Sequence, residues 1–228
     1  MIVRKTAAEL EKMRHSGLLV WQILEKLKEM VTEGVSTMDL EVAAARMMAD
    51  AGARPAFKGY YVPAAGDTYR YVLCTSVNSE IVHGMPNSKR VLKKGDIVSI
   101  DTGVKLDGYY GDSAITVPVG EISDQTKKLL QVTQDSLELA IDRVRSGNRL
   151  FDVCGAVERH VKSNGFSIVR EYVGHGIGTQ LHEEPQVPNY IDPKNENPRL
   201  KAGIVLAVEP MVNAGGPEAM VLKDRWTA

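Results

Sequence analysis

Apolar positions near the start of the chain recur with helical spacing. Leu10, Met13, Leu18, Trp21, Leu24 and Leu27 follow one another at intervals of three to five, the stripe of a long amphipathic helix. Thr6 with Glu9 three residues on reads as a capping box that opens this helix, and Gly34 stops the segment. A Ser36 or Thr37 cap predicts a second helix with Leu40, Ala43, Ala44 and Met47 on one face, running to Gly52. The same pair of patterns returns later. Ser123 opens a helix through Leu129, Val132, Leu137, Ile141 and Val144 to Gly147, and another runs from Leu150 to Gly165.

The second pair follows the first at an offset of 113 residues, and at that offset Val31, Gly34, Asp39, Ala43, Arg46 and Gly52 match Val144, Gly147, Asp152, Ala156, Arg159 and Gly165. Any two helix hairpins share a glycine stop and a capping residue, which is the plain explanation. An internal duplication is the sharper one, with halves of about 6–120 and 121–228 and a cleft where they meet. Between the helix pairs the period falls to two: Tyr71 to Val77, Asp96 to Thr102 and Ala114 to Val119 read as strands. In the second half Ser167 to Val173, Ile204 to Val208 and Met220 to Leu222 are strand candidates, and Gln186 to Leu200, with three prolines, reads as a loop. The fold class is therefore α+β, in a single domain spanning 1–228.

Composition narrows the function. The 228 residues are 43% hydrophobic and 25% charged, an ordinary globular mixture that excludes disordered and collagen-like chains. Lys plus Arg (28) nearly cancels Asp plus Glu (29), so bulk charge offers no attraction to nucleic acid. Two cysteines without a C-x-x-C pairing make neither a disulfide framework nor a Cys-type zinc site. No signal peptide or membrane span can be drawn, and the expected location is the cytoplasm.

Four segments carry candidate chemistry. A hairpin over 96–113 that turns through Lys105 to Gly108 would set Asp101 opposite Asp112, and two opposed carboxylates call for a proton or a cation between them. A solvated acidic hairpin in another register is the competing reading. Gly174-His175-Gly176-Ile177-Gly178 precedes His182-Glu183-Glu184-Pro185; imidazole is the commonest metal ligand, and the segment fails the phosphate-loop patterns. Glu209 ends the apolar run Ile204 to Val208, where a carboxylate needs a partner, either a metal or an Arg or Lys. His83, in His83-Gly84-Met85-Pro86, is either a plain turn residue or a catalytic one.

Taken in order, His83-Gly-Met-Pro, the Asp101 and Asp112 hairpin, Gly174-His175-Gly-Ile-Gly, His182-Glu-Glu-Pro and Val208-Glu209-Pro-Met resemble the type I methionine aminopeptidases of the pita-bread fold. The resemblance runs from about residue 6 to the end. It implies two pseudo-symmetric halves around a central metal cleft and removal of the N-terminal methionine from nascent or newly made polypeptides. It also implies metal ligation by Asp101, Asp112, His175 and Glu209, with Asp101 and Asp112 on one cation and Asp112, His175 and Glu209 on another. Co, Mn, Fe and Zn all suit such ligands. Glu209 is implied as the proton shuttle, His182 as the group polarising the carbonyl, and His83 as an aid at the scissile amide. Tyr60, Cys74 and Trp226, with His83 and His182, fall where the family binds substrate. The ribosome is an implied partner, and a monomer is expected. The family's last strand and its second bridging Glu are expected beyond Trp226, so this 228-residue form is expected to hold one cation more tightly than the other. A weakly active or inactive binding module, or a pita-bread aminopeptidase of other specificity, is the alternative.

Overall fold

The computed structural model describes residues 1–63 and 65–228. In chain order the elements are helices α1 (Ala7–Met30) and α2 (Thr37–Asp50), then strands β1 (Arg54–Pro55), β2 (Tyr61–Val62), β3 (Asp67–Thr68), β4 (Leu73–Val77), β5 (Ile97–Leu106) and β6 (Tyr109–Pro118). Helices α3 (Asp124–Ile141) and α4 (Leu150–Ser163) follow, then β7 (Ser167–Ile168), β8 (Gly174–Gly176), β9 (Glu183–Val187), β10 (Leu206–Ala207) and β11 (Val212–Asn213). The capping residues act as their types require. The Thr6 N–H reaches Glu9 Oε2 at 2.8 Å, and Ser36 and Asp39 close a full capping box on α2. No helix among the described residues is long and apolar enough to cross a membrane.

The chain forms two compact units: Glu11–Ser123 with Met220–Ala228, and Met1–Leu10 with Asp124–Ala219. In the first, α1 and α2 cover an antiparallel sheet ordered β1-β5-β4, with β6 also paired to β5. Ile23, Leu27, Leu40, Leu73, Val98 and Ile100 fill the space between helices and sheet. Each such side chain contributes about 1.5–3 kcal/mol on burial. In the second unit, Val132, Val153, Val157, Val161, Ile168 and Val212 form the core beneath α3 and α4. The sheets there are β10-β8-β9 and β7-β11.

The two helix pairs repeat one another in local geometry. α2 and α4 begin and end at the same 113-residue offset. The Gly34 N–H bonds Leu92 O, the Leu92 N–H bonds Val35 O and the Thr37 N–H bonds Arg90 O; Gly147 with Leu200, Leu200 with Asn148, and Leu150 with Pro198 repeat the set. On the strand side of these bonds the offset has become 108, because the second half is five residues shorter there.

Several expected elements differ. α3 stops at Ile141, short of Val144. Of Ser167 to Val173 only Ser167–Ile168 is strand; Met220 to Leu222 has no strand; Gln186 and Val187 pair within β9 instead of opening a loop. The two-residue strands beside the helices give too short a period-two signal to be read from sequence.

Candidate metal centre and methionine pocket

The β5–β6 hairpin corrects the expected register. Leu106 pairs with Tyr109, and Asp107 (φ 51°) and Gly108 (φ 86°) alone form the turn. A two-residue Asp-Gly connection matches the strand twist, so it wins over the longer turn expected. Asp101 therefore faces Ala114, and Asp112 faces Gly103; the two aspartates are not directly opposed. The shift is by two residues, so both stay on one face as diagonal neighbours, about 7–8 Å apart at Cα and within reach of one ion.

Cys74 of β4 lies directly opposite Asp101 of β5 and is buried. Burial, reinforced by the Asp101 charge, pushes its thiol well above the ordinary range, so it serves as a small apolar surface. Tyr69, which sequence reasoning missed, ties this corner together. Its hydroxyl has the carbonyls of Leu73 at 2.9 Å and Gly84 at 3.2 Å as acceptors, and its ring meets Trp226 edge-on with centroids 5.1 Å apart. Asp224 holds Trp226 in place by accepting its N–H at 2.9 Å. Tyr60 joins through the main chain, its carbonyl accepting the Tyr69 N–H, while its side chain is exposed. Cys74, Tyr69 and Trp226 thus form one cluster, with Tyr60 at its margin.

His83 adopts φ 59°, a left-handed conformation that non-glycine residues rarely occupy. It is held there from both sides. Gly84 O accepts the Thr75 N–H at 2.7 Å, and the Ile81 N–H and Val82 O bond Ala228. Burial lowers the His83 pKa, so its imidazole is neutral near pH 7. Strain maintained by the surroundings marks functional positions.

In the other unit, Gly176 lets β9 approach β8 closely, because a Cβ there would lie 2.3 Å from Glu184 O. His175 is buried on β8, opposite Ala207 of β10. Its Nδ1 lies 2.8 Å from Gly176 O, which can only accept, so Nδ1 carries the proton and Nε2 presents a lone pair. Nε2 is 3.4 Å from Glu209 Oε1. An imidazole nitrogen facing a carboxylate oxygen is the kind of donor set a divalent cation takes. Asn189, buried and also missed from sequence, donates its amide to Glu209 O at 2.7 Å. His182 meets His175 edge-on, ring centroids 4.3 Å apart.

The two carboxylate positions are themselves repeats. Aligning Lys93-Lys-Gly-Asp-Ile-Val-Ser-Ile-Asp101 with Lys201-Ala-Gly-Ile-Val-Leu-Ala-Val-Glu209, at the 108-residue offset of the neighbouring hydrogen bonds, places Asp101 on Glu209.

The model of metallopeptidase family M24 matches residues 11–225. The chain belongs to this family. Methionine aminopeptidase 1 of Bacillus subtilis (strain 168) is 51% identical to it, over 100% of this chain and 88% of that protein. The methionine aminopeptidase of Clostridium perfringens (strain 13 / Type A) is 44% identical over the same shares. The crystal structure of methionine aminopeptidase from Thermotoga maritima superposes with a TM-score of 0.94 at 42% identity, covering 100% of this chain and 88% of that one. Within M24, then, this chain stands with the type I methionine aminopeptidases and has their pita-bread architecture.

Proposed function

We propose that this chain removes the N-terminal methionine from polypeptides by metal-dependent hydrolysis of the first peptide bond. One observation supports the reading beyond family membership: a carboxylate recurs at the 108-residue offset, Asp101 and Glu209, each with a second donor on a neighbouring strand of its own unit, Asp112 and His175. As the resemblance implies, Asp101 and Asp112 would hold one divalent cation and Asp112, His175 and Glu209 another, of the class Co, Mn, Fe or Zn. When bound, such a cation would lower the pKa of a water to about 7 and so supply a nucleophile at neutral pH.

The remaining work falls to side chains. Glu209 takes the proton of the attacking water and passes it to the leaving amine. His182 donates to the carbonyl oxygen as negative charge develops there. His83, neutral through burial, bonds the scissile amide. The Cys74, Tyr69 and Trp226 cluster, with Tyr60 at its margin, takes the flexible thioether side chain. We place the activity in the cytoplasm, in a monomer acting on nascent chains at the ribosome. The resemblance to methionine aminopeptidases along the whole chain favours this over an inactive binding module or another specificity.

A panel of tripeptides with Met, Leu, Lys or Pro first and Ala or Leu second tests the reading. Release should favour Met followed by a small residue by at least about tenfold, a difference of about 1.4 kcal/mol in transition-state binding. A preference for Lys or Pro in the first position would reject it.

A further inference from the structure

One buried pair has no part in the chemistry above. Lys5 Nζ lies 2.6 Å from Glu183 Oε2, and the two side chains are only 3% and 9% exposed. A lysine is seldom buried without a partner, and a buried ion pair is a weak source of net stability, so a role in placement is the better explanation. Lys5 is anchored by its own backbone, whose N–H donates to Gly203 O at 2.7 Å. Glu183 uses its other oxygen to gather a turn: Oε1 accepts from the Gln180 N–H at 3.2 Å and the Thr179 hydroxyl at 3.4 Å. Gly178 completes the enclosure, since a Cβ there would lie 2.5 Å from Lys5 Cε and 2.6 Å from Glu183 Oε1. His182 is the residue immediately before the anchored glutamate. It is exposed, and its ring rests edge-on against His175.

We propose that Lys5 is a positioning residue: through its ion pair with Glu183 it holds the 178–183 turn, and with it the His182 imidazole, in the pose that meets the substrate carbonyl. Lys5, two residues before α1, thereby acts on His182 from within the same unit. This rests on the role given to His182 above.

The test is steady-state methionine release from a Met-Ala-Ser peptide by the Mn-loaded chain. Lys5→Met, Glu183→Gln and the double variant are each made in the wild-type and the His182→Ala backgrounds, with melting midpoints recorded alongside. Arg4→Ala is the control: its exposed guanidinium donates to the Ala202 carbonyl at 2.8 Å, away from the Lys5–Glu183 pair, and it should turn over like wild type. Each single variant should lower kcat at least about tenfold while KM stays within about threefold, as misplacement of a catalytic group does. The double variant, in which the same ion pair is already lost, should fall no further than the single variants. In the His182→Ala background the same substitutions should change kcat by less than about twofold, because the group they position is gone. Equal losses in both backgrounds, or an unchanged kcat in folded single variants, would overturn the proposal. If Lys5→Met fails to fold, Glu183→Gln decides by the same comparison. A wild type that releases no methionine would instead refute the functional reading, and this proposal with it.

Discussion

Replacing Gly84 by alanine should damage both stability and turnover, although it adds a single carbon. An ideal Cβ at this position lies 2.2 Å from Thr75 O and 2.9 Å from Ser76 Cα, both main-chain atoms of β4. Ordinary contact would need the loop to withdraw by about an ångström, since no flexible side chain is present to yield. That withdrawal breaks the Thr75 N–H bond to Gly84 O (2.7 Å) and the Gly84 N–H bond to Ser76 Oγ (3.0 Å). Overpacking costs about 1–3 kcal/mol and two lost hydrogen bonds about 0.5–1.5 kcal/mol each, a total of roughly 2–6 kcal/mol. For a chain of this size the melting midpoint should fall by roughly 5–20 °C. Turnover should fall further than stability predicts, because Gly84 fixes His83. Gly17 is the control: it is exposed in α1, its added Cβ would meet nothing within 4 Å, and alanine there should stabilise by about 0.5–1 kcal/mol. Calorimetric melts with methionine-release kinetics on both variants make the comparison. A Gly84→Ala protein that melts and turns over like wild type would refute the reasoning.

Two further outcomes follow. Tyr69→Phe removes the hydroxyl from the Leu73 and Gly84 carbonyls; it should cost about 1–2 kcal/mol in urea unfolding and raise KM for Met peptides more than it lowers kcat. Burial lowers the folded-state pKa of His83, so below about pH 6.5 the unfolded chain binds a proton that the folded chain does not. Stability from this group is therefore complete above that pH and is lost as pH falls through it; His83→Asn, which tolerates the left-handed backbone, should flatten the slope of unfolding free energy between pH 7 and 5, and an unchanged slope would contradict the assignment.

Helices were the most legible part of the fold, because capping residues and apolar stripes act locally. Thr6 with Glu9 and Ser36 with Asp39 cap as their side chains dictate. The Asp101 and Asp112 hairpin was legible as to face but not register. The Asp107-Gly108 dipeptide carried the correct answer, and a shift of two residues leaves both aspartates on one side. Asn189 and Tyr69 left no signal, since what matters is a hydrogen bond to a distant carbonyl, and such contacts have no period. The equivalence of Asp101 and Glu209 was hidden for another reason. The helices repeat at 113 residues and the strands at 108, so the helix offset carries Asp101 to Ala214, past Glu209.

The central claim is that His175 and Glu209 are metal donors for methionine release. Its most direct test is release from a Met-Ala-Ser peptide as Mn is titrated into metal-stripped wild type and His175→Ala. Wild type should rise from near zero to a saturable maximum. The variant should need far more metal and, at saturation, turn over at least about a hundredfold more slowly, having lost the lone pair that faces Glu209 at 3.4 Å. Equal turnover of both proteins at saturating metal, or release by wild type that is indifferent to metal, would contradict the account.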